Sequence, residues 1–328
     1  MADFTSTFFL YREKTDGGIE ILRCKSLDDA VELPGEIEGR PVTELGAYAF
    51  SAGEKYPKDG IWTGTEAERD GVPELFGEGL KRIHLPAGLQ RVGAYAFYNC
   101  WNLEELYFSS STYDWGAGAF TGCGKVKLLD VEMVAGKKSG FKDVLSELRQ
   151  TLLAVCHGDQ EARLIFPEFY EESVENTPAR ILETHMHGCG HQYRYCFRDS
   201  QFQFETYDSL FPYVKAQEPE ELVVRLASLR LRYPGGLTKG YEKIYKEYVR
   251  EHRETAAYDA VRTRDMEYLT WLTDTFHYER EELIRVMDAA AREGGTAVIS
   301  RLMELLNRPA SLNGTEKVAV PKRKRFEL

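Results

Sequence analysis

The chain has too little positive charge and too few long apolar runs for several classes of protein. Its 328 residues carry 42 lysines and arginines against 53 aspartates and glutamates, so the formal net charge is −11. A surface with this excess of carboxylates repels phosphate backbones, which argues against a nucleic-acid partner. No apolar run approaches the roughly 18 residues needed to span a bilayer, so no membrane partner is expected.

Signals for export and for common catalysts are also missing. The start, MADFTSTFFLYREKTDGG, has no basic segment and only a short apolar patch, unlike a secretory signal peptide. We therefore expect a cytoplasmic protein whose six cysteines stay reduced. The sequence contains no Walker loop, no G-x-G-x-x-G, no G-x-S-x-G and no H-E-x-x-H. These absences favour a protein that is not an enzyme.

Repetition is what the sequence has in abundance. GAYAF occurs at 46–50 and at 93–97, and GAGAF occurs at 116–120. A period of 23 residues aligns 80–102 with 103–125 at six apolar, glycine or cysteine positions. Within a unit, the alternation in L-x-x-I-x-L predicts a short strand. Glycine then permits a tight turn, phenylalanine fills the interior, and cysteine acts as a small buried apolar residue. Such units bury their apolar faces only by stacking, so the period predicts a solenoid.

The stretch LKRIHLPAGLQRVGAYAFYNCWNLEELYF, residues 80–108, carries a family resemblance. It resembles the BspA-type leucine-rich repeat, as in Firmicutes of clostridial type, whose phrase is close to L-x-x-I-x-I-P-x-x-V-x-x-I-G-x-x-A-F-x-x-C. The segment 31–50 is similar to the first unit of that family, and the resemblance covers roughly 19–135. In the family each unit adds a strand to a stack, and the repeats mostly recognise other macromolecules. The resemblance therefore implies a protein partner bound through the repeat surface.

The departures from the period are the first candidates for function. The surplus segment 53–79 is rich in glycine, proline and charge. It is either a tolerated surface insertion or a binding loop that presents Trp62. Tyr48 and Tyr95 occupy the same place in two units, where the third unit has Gly118. If the tyrosines point outward they form an aromatic stripe suited to recognition, and if they point inward they belong to the core. The candidate binding residues are Tyr48, Trp62, Tyr95 and Trp101.

Beyond residue 135 the pattern changes. Val144, Leu145, Leu148, Leu152 and Val155 follow helical spacing, and clearer helices follow Pro219. The section 160–217 is predicted to be irregular, with one or two short strands or helices. Two later segments, 260–272 and 290–302, match each other with a period of about 30, similar to the helix pairs of ankyrin repeats.

These observations predict an α+β protein. The predicted fold is a short leucine-rich-repeat β-solenoid over 1–135, followed by a mainly helical domain with ankyrin-like helix pairs over 136–309. A basic tail, 310–328, ends in PKRKRFEL. The tail is either a solubilising segment or a peptide that docks on an acidic surface.

The phrase THMHGCGH is the best candidate for metal chemistry. It places His185, His187, Cys189 and His191 at every second residue, and zinc prefers histidine and cysteine ligands. On one strand these residues would share a face, but the outer two would lie about 20 Å apart. All four converge only if the chain bends back at the intervening glycines. The alternative is a histidine-rich turn whose imidazoles form local hydrogen bonds.

Three functional hypotheses follow. The favoured one is a non-enzymatic interaction or scaffold protein that binds a protein partner and needs no cofactor. The second is a zinc-binding domain or metal-dependent enzyme built on residues 185–196. The third is a repeat binder whose helical region serves only as a structural cap on the open end of the stack. The adjacent Cys156 and His157 do not favour a nucleophile and its base, because neighbouring residues rarely face each other.

Overall fold

The computed structural model describes residues 7–53, 55, 57–176, 181–292 and 296–307. Internal contacts divide the chain into two compact units, Met1–Glu251 and His252–Leu328. The basic tail over 310–328 lies outside the described residues. No described helix combines the length and the apolar character needed to cross a membrane.

Strands dominate the first half of the chain. They are β1 Thr7–Glu13, β2 Ile19–Ser26, β3 Ala30–Glu32, β4 Glu36–Ile37, β5 Arg40–Leu45, β6 Ile61–Trp62, β7 Arg82–His84, β8 Arg91–Val92, β9 Glu105–Ser109, β10 Asp114–Trp115, β11 Leu128–Glu132, β12 Leu152–His157, β13 Ala162–Phe166, β14 Tyr170–Asn176, β15 Ile181–His187, β16 Phe197–Arg198 and β17 Gln201–Phe202.

Helices dominate the second half. They are α1 Glu66–Arg69, α2 Phe141–Glu147, α3 Gly190–Arg194, α4 Phe204–Ser209, α5 Phe211–Gln217, α6 Glu220–Arg232, α7 Lys239–Glu251, α8 Arg253–Thr263, α9 Met266–Thr275, α10 Arg280–Arg292 and α11 Thr296–Asn307, with one 3₁₀ turn at Gly77–Gly79.

Two sheets run through the repeats. One has the strand order β10-β8-β5-β2-β1-β6, with β4 beside β5, and the other has the order β13-β12-β11-β9-β7-β3. Within the repeats the pairing is parallel, and Arg82 pairs with Glu105, which pairs with Leu128. The ion pairs Arg82–Glu105 and Arg91–Asp114, at 2.6 and 2.7 Å, also join residues 23 apart. Residues one period of 23 apart therefore pair on adjacent strands, and we call each such repeat a coil.

Aromatic rings form a ladder inside the stack. Phe50, Phe97 and Phe120 are buried, and their ring centroids lie 5.7 and 5.4 Å apart in near-parallel stacks. The thiol of Cys100 donates to the carbonyl of Phe50 at 3.3 Å, and the thiol of Cys123 donates to that of Phe97 at 3.1 Å. Each cysteine therefore bonds the preceding coil, a role beyond the apolar filling that was predicted.

The glycine that opens each phrase has a different role from the predicted tight turn. A Cβ added to Gly93 would lie 2.3 Å from the backbone nitrogen of Ala47, and one added to Gly116 would lie 2.2 Å from that of Ala94. Neither glycine has a positive φ. Glycine is required here because consecutive coils approach too closely for any side chain.

The insertion over 53–79 closes one edge of the first sheet. Strands β1 and β2 form an antiparallel pair before the repeats, and β6 from the insertion pairs with β1 on its outer side. The insertion also bonds β2 further along, where the Leu75 nitrogen donates to the Cys24 carbonyl at 2.9 Å. The insertion thus covers a sheet edge that would otherwise invite pairing with another chain.

The region beyond 135 contains more strand than the helical spacing predicts. Helix α2 ends at Glu147, and Leu152 and Val155 lie in strand β12. β12 pairs in parallel with β11 and so continues the second sheet for one more coil, and the antiparallel β13 ends it. The section 160–217 likewise contains ordered strands and helices instead of irregular chain. The strand conformation of β12 is therefore set by its backbone hydrogen bonds to β11 and not by the spacing of its apolar residues.

Two buried arginines hold this closing region together. Arg194 is fully buried and donates to the carbonyls of Leu148 at 2.7 Å and Gln150 at 2.6 Å, and also to those of Pro167 and Gly190. Arg230 and Asp208, both fully buried, form an ion pair with two bonds of 2.9 Å. The hydroxyl of Tyr245 donates to the same carboxylate at 2.8 Å.

The second unit contains helices α8 to α11, in which α8 packs on α9 and on α10, and α10 packs on α11. Tyr268 and Leu272 of α9 are buried, as are the residues that the sequence match aligns with them, Val298 and Leu302 of α11. The helix pairs are therefore present, and their ankyrin-like character stays a prediction. The glycine pair at 294–295, a sequence signal typical of helix ends, lies outside the described residues.

Candidate functional site

The phrase GAYAF places tyrosines side by side on the outside of the stack. The rings of Tyr48 and Tyr95 are stacked, with centroids 5.3 Å apart and planes 14° from parallel. Tyr98 meets Tyr95 edge-on at 5.7 Å. Tyr95 is 37% exposed and Tyr48 is half-buried, with the Lys55 ammonium 5.5 Å from the Tyr48 centroid. Tyr48, Tyr95 and Tyr98 form what we call the aromatic row, and they point outward.

Both stacked tyrosines have backbone conformations that side chains rarely adopt. The φ angles of Tyr48 and Tyr95 are 58° and 56°, in the left-handed region, and Gly118 at the third position has a φ of 69°. A residue with a Cβ in this region costs roughly 1–2 kcal/mol relative to glycine. The coil therefore demands a left-handed backbone at this position and does not demand a side chain.

Gly118 also explains why the aromatic row ends. A Cβ at Gly118 would lie 2.5 Å from the ring of Tyr95. Each tyrosine ring leans over the equivalent position of the next coil, so Tyr48 stacks on Tyr95 and Tyr95 covers Gly118. Glycine at the third position leaves room for that ring.

A buried guanidinium supports the first turn of the row. Arg23, 1% exposed, donates to the carbonyls of Tyr48, Ala49, Ser51 and Gly53 at 2.6–3.1 Å. It also pairs with the carboxylate of Glu74 from the insertion at 3.1 Å. Arg23 is not among the predicted site residues, although an arginine between Leu22 and Cys24 in an apolar strand is a detectable signal.

The other two candidate binding residues lie apart from the row. Trp62 lies on β6. Strands β1 and β2 lie between β6 and β5 in the same sheet. Trp62 is half-buried, with cations of Lys25 and Arg69 at 5.4 and 6.0 Å from its ring. Trp101 is 54% exposed on the corner after Cys100. The structure therefore brings only Tyr48 and Tyr95 together from the four predicted residues.

The four candidate metal ligands are separated by a change of secondary structure. His185 and His187 lie on β15, and the chain then turns at Gly188, with a φ of 86°, into α3. Cys189 is buried, and its thiol donates to Glu218 at 3.3 Å. His191 packs between the rings of Phe169 and Tyr195, at 5.4 and 4.6 Å.

The two strand histidines have ordinary local partners. His187 bonds the Glu172 carboxylate at 2.9 Å, and His185 lies 3.6 Å from that of Glu183. Over the part of the chain that the structure describes, no group of three or more histidine, cysteine, aspartate or glutamate side chains could hold a metal ion.

The cysteines are poorly suited to nucleophilic chemistry. All six are free thiols and all are buried. Burial raises the pKa of Cys123 and of Cys156 to about 12, so thiolate is scarce at neutral pH. His157 does not serve Cys156, because it points outward to Asp130 at 3.0 Å.

A pocket of about 500 Å³ also opens on the first unit, near the Arg230–Asp208 pair. Its lining contains Met133, Cys156, Gly158, Asp159, Gln160, Phe204, Gly235 and Gly236. That lining includes one carboxylate and one buried thiol and no imidazole, so it offers no pair of nucleophile and base.

Comparisons with known proteins find similarity over part of the chain. Residues 75–136 match the family model described as BspA type Leucine rich repeat region, in 6 copies. A leucine rich cell surface protein from Faecalibacterium prausnitzii A2-165 is similar at 16% identity and a TM-score of 0.28, over 42% of this chain and 37% of that one. A Leucine Rich Repeat protein of T. pallidum is similar at 23% identity and a TM-score of 0.22, over 37% of this chain and 68% of that one.

The search of curated proteins finds no match. The similarity to the F. prausnitzii structure spans less than two thirds of that protein's length. The family model covers less than half of this chain.

Proposed function

We propose that this chain is a non-enzymatic interaction protein that presents the aromatic row to a protein partner. The observation that carries the proposal is the pair of left-handed tyrosines, Tyr48 and Tyr95, at a position where Gly118 builds the same coil without strain. Backbone strain that the fold does not require is typical of functional positions. Stacked, partly exposed tyrosines are also typical centres of protein interfaces.

Stability alone does not account for the row. Two tyrosines in the left-handed region cost roughly 2–4 kcal/mol together. The stacked contact and the edge-on contact return about 0.5–1.5 kcal/mol each. The two sums are similar, so the tyrosines add little to the free energy of unfolding. A net charge of −11 favours a protein over a nucleic acid as the partner.

The natural glycine at 118 supplies the test. We expect the free energy of unfolding of the double variant Tyr48→Gly, Tyr95→Gly to lie within about 1 kcal/mol of that of the unmodified protein. The variant loses the backbone strain and the ring contacts together, and the two effects offset each other. It should lose a partner that the unmodified chain captures stoichiometrically from native lysate. Tyr213→Ala removes a tyrosine that is 49% exposed outside the row and is the matched control. Identical capture by the double variant and the unmodified chain would reject the proposal, as would the absence of any stoichiometric partner.

We also propose that the region from α2 to α7 caps the open end of the stack. In the inner coil, the nitrogens of Tyr95 and Phe97 donate to carbonyls of the next coil at 3.2 and 3.0 Å. In the last coil, the equivalent nitrogens of Gly118 and Phe120 donate instead to the carboxylate of Glu147, at 3.0 and 2.9 Å. A side chain thus replaces the missing coil. The ankyrin-like character of the second unit and a cytoplasmic location remain part of the proposal.

A further inference from the structure

One pair of strands stands apart from the two large sheets. β14 and β15 pair with each other in antiparallel register over seven residues each, from Tyr170 with His187 to Asn176 with Ile181. In the described part of the chain this is a sheet of two strands, so neither outer edge adjoins a third. We call β14 and β15 the acidic strand pair. A pair of strands without a third is marginally stable in water.

Apolar side chains on the acidic strand pair are unusually exposed. Tyr170, Val174, Leu182 and Met186 are 60%, 44%, 71% and 43% exposed. Because side chains alternate along a strand, Val174 lies on one face while Leu182 and Met186 lie on the other. Both faces therefore offer apolar contacts to an added strand.

Of the features that usually protect exposed edges, the pair has only charged side chains. Natural edge strands are commonly short or bulged, or carry lysine or proline. Here both strands are seven residues long, paired without a register shift, and neither contains lysine, arginine or proline. Their charged residues are the glutamates Glu171, Glu172, Glu175 and Glu183, all exposed.

We propose that an extended basic segment of a partner protein adds to an outer edge of the acidic strand pair. The added backbone would complete the hydrogen-bond ladder, and its lysines or arginines would face the glutamates. Opposite charges across a strand pair are favourable and like charges are unfavourable. The same four glutamates therefore repel a second copy of this pair and select a basic strand. This surface is independent of the aromatic row.

A synthetic peptide tests the charge requirement. The probe is a fluorescein-labelled peptide of alternating lysine and valine, titrated with the full-length protein at about 0.15 M salt, where the Debye length is about 8 Å, and followed by anisotropy. We expect saturable binding that the double variant Glu172→Lys, Glu183→Lys weakens at least about tenfold, or about 1.4 kcal/mol. The control Glu36→Lys, Glu78→Lys makes the same change in net charge at exposed positions outside the pair. It should weaken binding less than about threefold, because distant exposed charges are screened.

A second peptide separates strand addition from simple charge attraction. It has the same side chains, with N-methyl groups on every backbone nitrogen, so neither of its edges can complete the ladder. Loss of its binding supports the proposal, and binding equal to the parent peptide overturns it. The proposal also fails if the parent peptide does not bind, or if both charge variants weaken binding equally. It fails as well if sedimentation shows that the chain dimerises through this pair and excludes the peptide. Thermal unfolding followed by circular dichroism verifies that each variant is folded.

Discussion

Removing the carboxylate of Glu147 should destabilise the open end of the stack. Glu147→Ala leaves the nitrogens of Gly118 and Phe120 without their acceptors at 3.0 and 2.9 Å. A hydrogen bond to a charged group contributes about 1.5–3 kcal/mol, and an unsatisfied buried donor costs a similar amount. Gly118 is partly exposed, so water replaces the acceptor there, whereas Phe120 is buried. We therefore expect a loss of about 2–3 kcal/mol in the free energy of unfolding.

The conservative variant sharpens this expectation. Glu147→Gln keeps one oxygen acceptor and turns an amide donor toward the second nitrogen, so the expected loss is about half that of alanine. Urea unfolding, followed by tryptophan fluorescence, measures both variants, because the Trp115 ring lies 5.5 Å from that of Phe120. Hydrogen exchange at the amides of Gly118 and Phe120 should accelerate in parallel. If the free energy of unfolding of the alanine variant lies within about 0.5 kcal/mol of that of the unmodified protein, Glu147 does not cap the stack.

Three further predictions concern the packing of the first unit. Gly116→Ala should lower the free energy of unfolding in urea by about 2–3 kcal/mol, because the new Cβ would lie 2.2 Å from the preceding coil. The control Gly124→Ala, whose Cβ would have nothing within 4 Å, should lower it far less. Asp208→Asn should cost about 3–5 kcal/mol in the same assay, because it leaves the Arg230 guanidinium buried without its counter-charge; an unchanged midpoint would contradict this. Burial raises the pKa of Tyr207 well above its ordinary value of 10.0, so its stabilising contribution is present below pH 10 and is lost as the pH rises further. The difference in tyrosinate absorbance between the unmodified protein and a Tyr207→Phe variant should therefore appear together with the change in circular dichroism above that pH, and its appearance before that change would argue otherwise.

The repeat was predictable because its signals are local and recur. Gly93 and Gly116, or Cys100 and Cys123, each meet their equivalents one coil away, so a spacing along the chain becomes a contact in space. The sequence does not specify why glycine is required, because a tight turn and a close approach between coils both select glycine. Distances between backbones distinguish the two.

The candidate site shows a similar division. The sequence singled out the place shared by Tyr48, Tyr95 and Gly118, and left open whether the rings point inward or outward. Backbone dihedrals and ring geometry answer that question, because a left-handed residue directs its side chain away from the coil interior here. Arg23 and Glu147 were not recognised, since their partners are backbone groups of other coils, 25 to 30 and 27 to 29 residues away.

By itself, the sequence determined the coil length, the residues that fill the interior and the absence of long apolar runs, because each depends on spacing along the chain. The tertiary structure decided how the stack is closed at each end. The insertion pairs with β1 at one end, and β12, β13 and Glu147 complete the ladder at the other. Backbone groups at the end of a stack need partners, and many different segments can supply them, so local sequence patterns do not specify which one does.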